Sequence, residues 1–152
     1  MNLLDELVRQ LKIDEGFQRK AFWDNKQYTN GYGTEAENSE EIIDQIIAEE
    51  RLCVQAEKSI NDVVRNFDFV LDQKIILALA NMRFNLGLRG LLSFQKMIIA
   101  LKKYDYTRAG FEAFKSKWYK QVGGREVIIF KDFIYKNLRR SERICLTIAK
   151  II

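Results

Sequence analysis

The chain has 152 residues, with 25 basic and 21 acidic side chains, two cysteines, no proline and no histidine. At 47% hydrophobic and 12% aromatic content it is not a disordered tail, and its length suits one domain that buries a sizeable core. Without histidine, a Ser-His-Asp triad and a Cys-His pair are excluded and a zinc site is strained, so carboxylates remain as acid and base, and neither metal nor cofactor is expected.

In chain order, Leu3, Leu4, Leu7, Val8, Leu11 and Ile13 recur at helical spacing, which predicts a helix from about Leu3 to Asp14 with Gly16 as its terminator. Ala21 to Trp23 read as a strand entering a turn at Asp24, Asn25 and Lys26, and Gln27 to Tyr32 as the returning strand. From Asn38 to about Asn66 the residues Ile42, Ile43, Ile46, Ile47, Cys53, Ala56, Ile60, Val63 and Val64 predict a long helix, with Asn38 and Glu41 in the form of a capping box. Asp72 to Leu86 is apolar nearly all round, as a buried helix is, and Gly87 and Gly90 are expected to end it. Ser93 is expected to cap a helix through Leu101, and Thr107 to start a short one through Phe114. Gly123 and Gly124 mark a turn before a helix from Arg125 to Tyr135, and the tail from Arg139 reads as a last amphipathic helix.

No run of about 18 apolar residues appears, and Asp5, Glu6 and Arg9 interrupt the N-terminus, so neither a membrane helix nor a cleavable signal is expected. Cys53 and Cys145 are read as small buried apolar residues. The net charge of +4 is uneven: residues 1–101 carry 12 basic and 16 acidic side chains, whereas residues 102–152 carry 13 and 5. That basic end would attract anionic polymers, but no nucleic-acid recognition motif or aromatic-basic interleaving accompanies it.

The stretch Glu15 to Thr34 concentrates the chemistry. Glu15 falls at a helix end, Asp24 at the bend of a hairpin and Thr29 on its return, so acid, anion and hydroxyl are expected to converge on one cleft. Breaking a glycosidic bond needs one protonated and one charged carboxyl on opposite sides of it, and Glu15 and Asp24 are the candidates.

These residues, in the order Glu15, Gly16, Asp24, Thr29, Gly31 and Gly33, resemble the active-site stretch of the T-even phage lysozyme family, the muramidases of glycoside hydrolase family twenty-four. Two further stretches are similar to that family: Asn81, Met82, Phe84 and Gly87, and then Ser116, Trp118, Tyr119 and Gln121 followed by Arg125. The resemblance spans roughly residues 1 to 130. It also departs in places, because the interval from Asp24 to Thr29 is one residue shorter, Thr34 stands where many relatives have His, Ile128 replaces a second basic residue, and the segment after Gly33 is compressed.

The resemblance implies an α+β, mostly α, two-lobed fold. A small β-hairpin lobe of about residues 13–50 is joined by a long helix to a helical lobe of about residues 1–12 plus 60–152. It implies hydrolysis of the bond between N-acetylmuramic acid and N-acetylglucosamine in peptidoglycan. Glu15, kept protonated by partial burial, is then the general acid, Asp24 and Thr29 position the attacking water, Phe84 contacts glycan, and Arg125 partners Glu15. The expected partner is a peptidoglycan strand, met by a monomer without nucleic acid or stable membrane insertion. It is expected to be made in the cytoplasm and to reach the wall after release by another factor. The alternative is a phage-tail or effector module that binds the wall without cutting it.

Overall fold

A computed structural model describes residues 2–70 and 72–115. Among these the fold is α+β and mostly α, with five helices and one three-stranded antiparallel sheet. The predicted helix from Arg125, the amphipathic tail, Cys145, Trp118, Tyr119 and Arg125 itself lie outside the described residues.

Helix α1 (Leu3–Glu15) starts where Asn2 Oδ1 accepts the Asp5 N–H at 2.8 Å and ends where the Gly16 N–H donates to the Lys12 carbonyl at 3.1 Å. Asp5 and Glu6 suit the positive end of the helix. Leu7 and Leu11 are fully buried, but Ile13 is 70% exposed, because two positions beyond Leu11 is about 200° around the helix.

Strands β1 (Gln18–Trp23) and β2 (Tyr28–Gly31) pair with Phe22 opposite Thr29 and Trp23 opposite Tyr28, and a bulge interrupts the register between Gln18 and Phe22. The returning strand is shorter than its sequence suggests. Past Gly33 the chain folds back once more as β3 (Thr34–Glu35), a strand of two residues that is too short to leave an alternating pattern.

The segment expected to open the long helix does something else. The Ala21 N–H donates to the Glu41 carbonyl and the Ile43 N–H to the Arg19 carbonyl, both at 2.9 Å, so residues near Ile42 bridge to β1. Asn38 caps a local turn, its Oδ1 accepting the Glu40 N–H at 2.9 Å. Helix α2 (Gln45–Asn66) begins later, where Asp44 accepts the Ile47 N–H at 2.9 Å. Its inner stripe is Ala48, Leu52, Ala56, Ser59 and Val63, spaced at three and four residues as one helix face requires. Ile42, Ile46, Ile47 and Val64 are exposed instead, and so is Cys53, which sits one position around from buried Leu52.

Helix α3 (Gln73–Leu92) is the core helix, capped by Asp72 and burying Ile75, Leu77, Ala78, Leu79, Ala80, Asn81 and Met82. It is long and apolar enough to cross a membrane, but here it packs against α1 and α2. Gly87 does not end it: at φ 72° and ψ 169°, a region essentially reserved for glycine, it kinks the helix, and the helical turn resumes to Leu92. Ser93 closes α3 rather than opening the next helix, its hydroxyl donating to the Gly90 carbonyl at 2.6 Å. Helix α4 (Gln95–Lys102) follows, and α5 (Tyr106–Phe114) is capped by Asp105, which accepts the Arg108 N–H at 3.0 Å.

Candidate active site

Three pieces of the fold meet at a cleft of about 360 Å³: the end of α1, the β1–β2 hairpin, and the kinked part of α3. Glu15, Asp24, Thr29 and Phe84 all line it, together with Gly31 and Gly33. Each is aimed by the element that carries it.

Asp24 is held by its own hairpin. Its Oδ1 accepts the Lys26 N–H at 2.9 Å and the Gln27 N–H at 3.0 Å, while its backbone N–H donates to the Gln27 carbonyl at 3.0 Å. Asn25 takes a left-handed φ of 79°, which asparagine tolerates better than most residues. The other oxygen, Oδ2, accepts the hydroxyl of Thr29 at 2.7 Å. Burial pushes the Asp24 carboxyl up, but donation from Gln27, Thr29 and Lys26 outweighs it, and the net shift is below the usual aspartate range. Asp24 is therefore an anion of set orientation. Thr29 is only 3% exposed, and with its proton committed to Asp24 it offers its lone pairs to a third party.

Glu15 is half-buried at the last position of α1 and rests against Gly33, whose φ is 76°. A Cβ on Gly33 would stand 2.8 Å from Glu15 Oε2, so the bare glycine is what admits the carboxylate there. Next to Glu15, Asp14 accepts from Asn81 Nδ2 at 3.3 Å, and Asn85 Nδ2 donates to Asn81 Oδ1 at 3.0 Å. This chain ties the end of α1 to the buried face of α3.

Phe84 is half-buried, packing against the core while it lines the cleft from α3. Phe22, Gln18, Lys26 and Asn85 line the cleft as well, and the sequence reading did not single them out. For Phe22 a signal was present: strand period two places it on the face of Asp24, and Thr29 is its partner in the register. Glu41, whose spacing from Asn38 predicts a capping box, instead joins the sheet to α2. It accepts from Arg51 at 2.7 and 3.0 Å, from Asn30 at 3.0 Å and from the Glu37 N–H at 2.8 Å. The paired Arg51 holds the Glu41 carboxyl down at about 2, against the opposing effect of burial.

Two carboxyls and a buried hydroxyl line one groove in a chain without histidine, an arrangement that suits acid–base chemistry and does not supply a Ser-His-Asp triad. The chain belongs to the phage lysozyme family, whose model matches residues 12–131. The family is one of peptidoglycan hydrolases, and membership implies a glycoside hydrolase. No curated protein matches the chain closely enough to count as a relative.

Proposed function

We propose that the protein is an N-acetylmuramidase that cleaves the 1,4-β bond between N-acetylmuramic acid and N-acetylglucosamine, acting in bacterial or host cell lysis. The observation that carries this reading is that Glu15, Asp24, Thr29 and Phe84 line one cleft. In this mechanism Glu15 donates its proton to the departing glycosidic oxygen. Asp24, ionised and aimed by Thr29, accepts a proton from water while the Thr29 oxygen orients it, and the water attacks the sugar from the opposite face. That sequence inverts the anomeric centre. Phe84 supports the glycan strand. The protein reaches its substrate at the wall after another factor opens the route, and it works as a monomer.

Mass analysis of muropeptides released from purified sacculi tests the reading. Wild type is expected to release fragments ending in N-acetylmuramic acid, and Glu15→Gln to fold normally but lose about a hundred- to ten-thousand-fold in rate. Lysis by Glu15→Gln at the wild-type rate would remove Glu15 from its role. Binding to sacculi with no release of reducing ends by wild type would point to a wall-binding module instead.

A further inference from the structure

Lys26 stands at the tip of the β1–β2 hairpin, two positions past Asp24, and lines the same cleft. Among the described residues that line the cleft it is the one cation, and it shares that lining with the carboxyls of Glu15 and Asp24. Its backbone N–H is committed to Asp24 at 2.9 Å, which fixes where the side chain leaves the turn. That side chain is exposed and takes part in none of the ion pairs among the described residues. A positive charge favours the ionised form of a carboxyl, as the Lys26 charge does at Asp24 across solvent, so the ammonium adds nothing to proton donation by an acid in this cleft. Exposed and outside those close ion pairs, the ammonium can still reach a ligand in the cleft.

Wall glycan differs from a neutral N-acetylhexosamine polymer at every second sugar, where a lactyl group carries a carboxylate either directly or through a stem peptide. Resting on the reading of the cleft as a muramidase groove, we propose that Lys26 is a specificity-determining residue. Its ammonium pairs with a carboxylate borne by the lactyl side of the strand, and Phe22 supplies the apolar part of the same wall. The cleft thereby favours acidic strands over neutral ones. The side chain is exposed, so the contribution is that of a solvated ion pair and is screened by salt.

The test measures binding of three soluble strands to the Glu15→Gln protein, alone and combined with Lys26→Gln or Lys26→Arg. One strand carries stem peptides, one has been stripped by an amidase to leave free lactyl carboxylates, and one is a neutral N-acetylglucosamine oligomer. Lys26→Gln is expected to raise Kd about three- to fivefold for acidic strands at low salt, with Lys26→Arg restoring it and the neutral oligomer bound as before. An effect confined to the stem-bearing strand places the carboxylate on the peptide, and an effect on the stripped strand places it on the lactyl group. Equal weakening for all three strands, or no weakening for any, overturns the proposal. In the Glu15-containing enzyme the loss should fall in KM with kcat kept, whatever small shift of the acid limb follows from removing a charge that favours ionised Asp24; a loss confined to kcat would mean that Lys26 acts through Asp24 and also overturns it. The muramidase reading is judged separately, by whether wild type releases reducing ends.

Discussion

The Glu15 carboxylate lies against the one face of Gly33 that a side chain would fill, 2.8 Å from where a Cβ would be. The contact is to the carboxyl end of Glu15 as well as its stem, so a methyl group at position 33 displaces the carboxyl proposed as the acid. The left-handed φ of 76° at Gly33 adds backbone strain for any other residue. Gly33→Ala is expected to cost about 1–3 kcal/mol in denaturant unfolding. Lytic kcat should fall by at least about tenfold, since small displacements of a catalytic group have large effects on rate. A stable, fully active Gly33→Ala protein would show that Glu15 has room to move without consequence.

Thr29 acts on the second carboxyl. Its hydroxyl both aims Asp24 Oδ2 and favours its charged form. Thr29→Val keeps the shape of this buried residue but removes the donor. It is expected to lower the lytic rate about a hundredfold, while Thr29→Ser stays within several-fold of wild type. Losing the donor raises the Asp24 pKa, so the acid limb of the pH–rate profile should move to higher pH in Thr29→Val. Profiles of the three proteins measured side by side decide this.

The Glu41–Arg51 pair couples the sheet to α2 and sets an acid dependence of stability. Glu41 has a folded pKa of about 2 against an ordinary value of 4.5. A depressed carboxylate stabilises the fold fully above its unfolded pKa, and that contribution is lost as pH falls from about 4.5 toward 2. Its side chain is only 13% exposed, so removing the charge leaves Arg51 and Asn30 with an impaired partner. Glu41→Gln is expected to cost about 1–3 kcal/mol at neutral pH and to flatten the loss of stability between pH 4.5 and 2. Thermal melts across that range are the check.

Leu52 is a fully buried leucine of the α2 stripe. Leu52→Ala should destabilise by about 2–5 kcal/mol, whereas Val54→Ala, at a position 63% exposed on the same helix, should stay within about 0.5 kcal/mol. Urea unfolding of the two variants would expose a wrong assignment of the buried face.

Local signals in the chain carried far but stopped at particular residues. Helical spacing and Gly16 placed α1 correctly, and the unbroken apolar run marked α3 as the core helix. The same spacing rule misjudged the start of α2, because four isoleucines before and inside its first turns look like a buried stripe, whereas Ile42 bridges to β1 and only Ile43 is buried, with Ile42, Ile46 and Ile47 exposed. Gly87 was legible as a break but not as a kink, since a glycine in this conformation serves either purpose and the packing beyond it decides which.

By itself the sequence determined the helix-rich class, the restriction to carboxylate chemistry and the family motif around Glu15, Asp24 and Thr29, because composition and short-range spacing are properties of adjacent residues. Only the tertiary structure decided that Phe84 and Lys26 share a cleft with those three, that Gly33 makes room for Glu15, and that Glu41 binds Arg51 rather than capping a helix. The pairs Glu41–Arg51, Glu15–Lys26, Glu15–Gly33 and Glu15–Phe84 join residues from ten to nearly seventy positions apart. Such pairs meet only when burial of the core has brought their elements together, and no local rule for helix, strand or turn records the meeting.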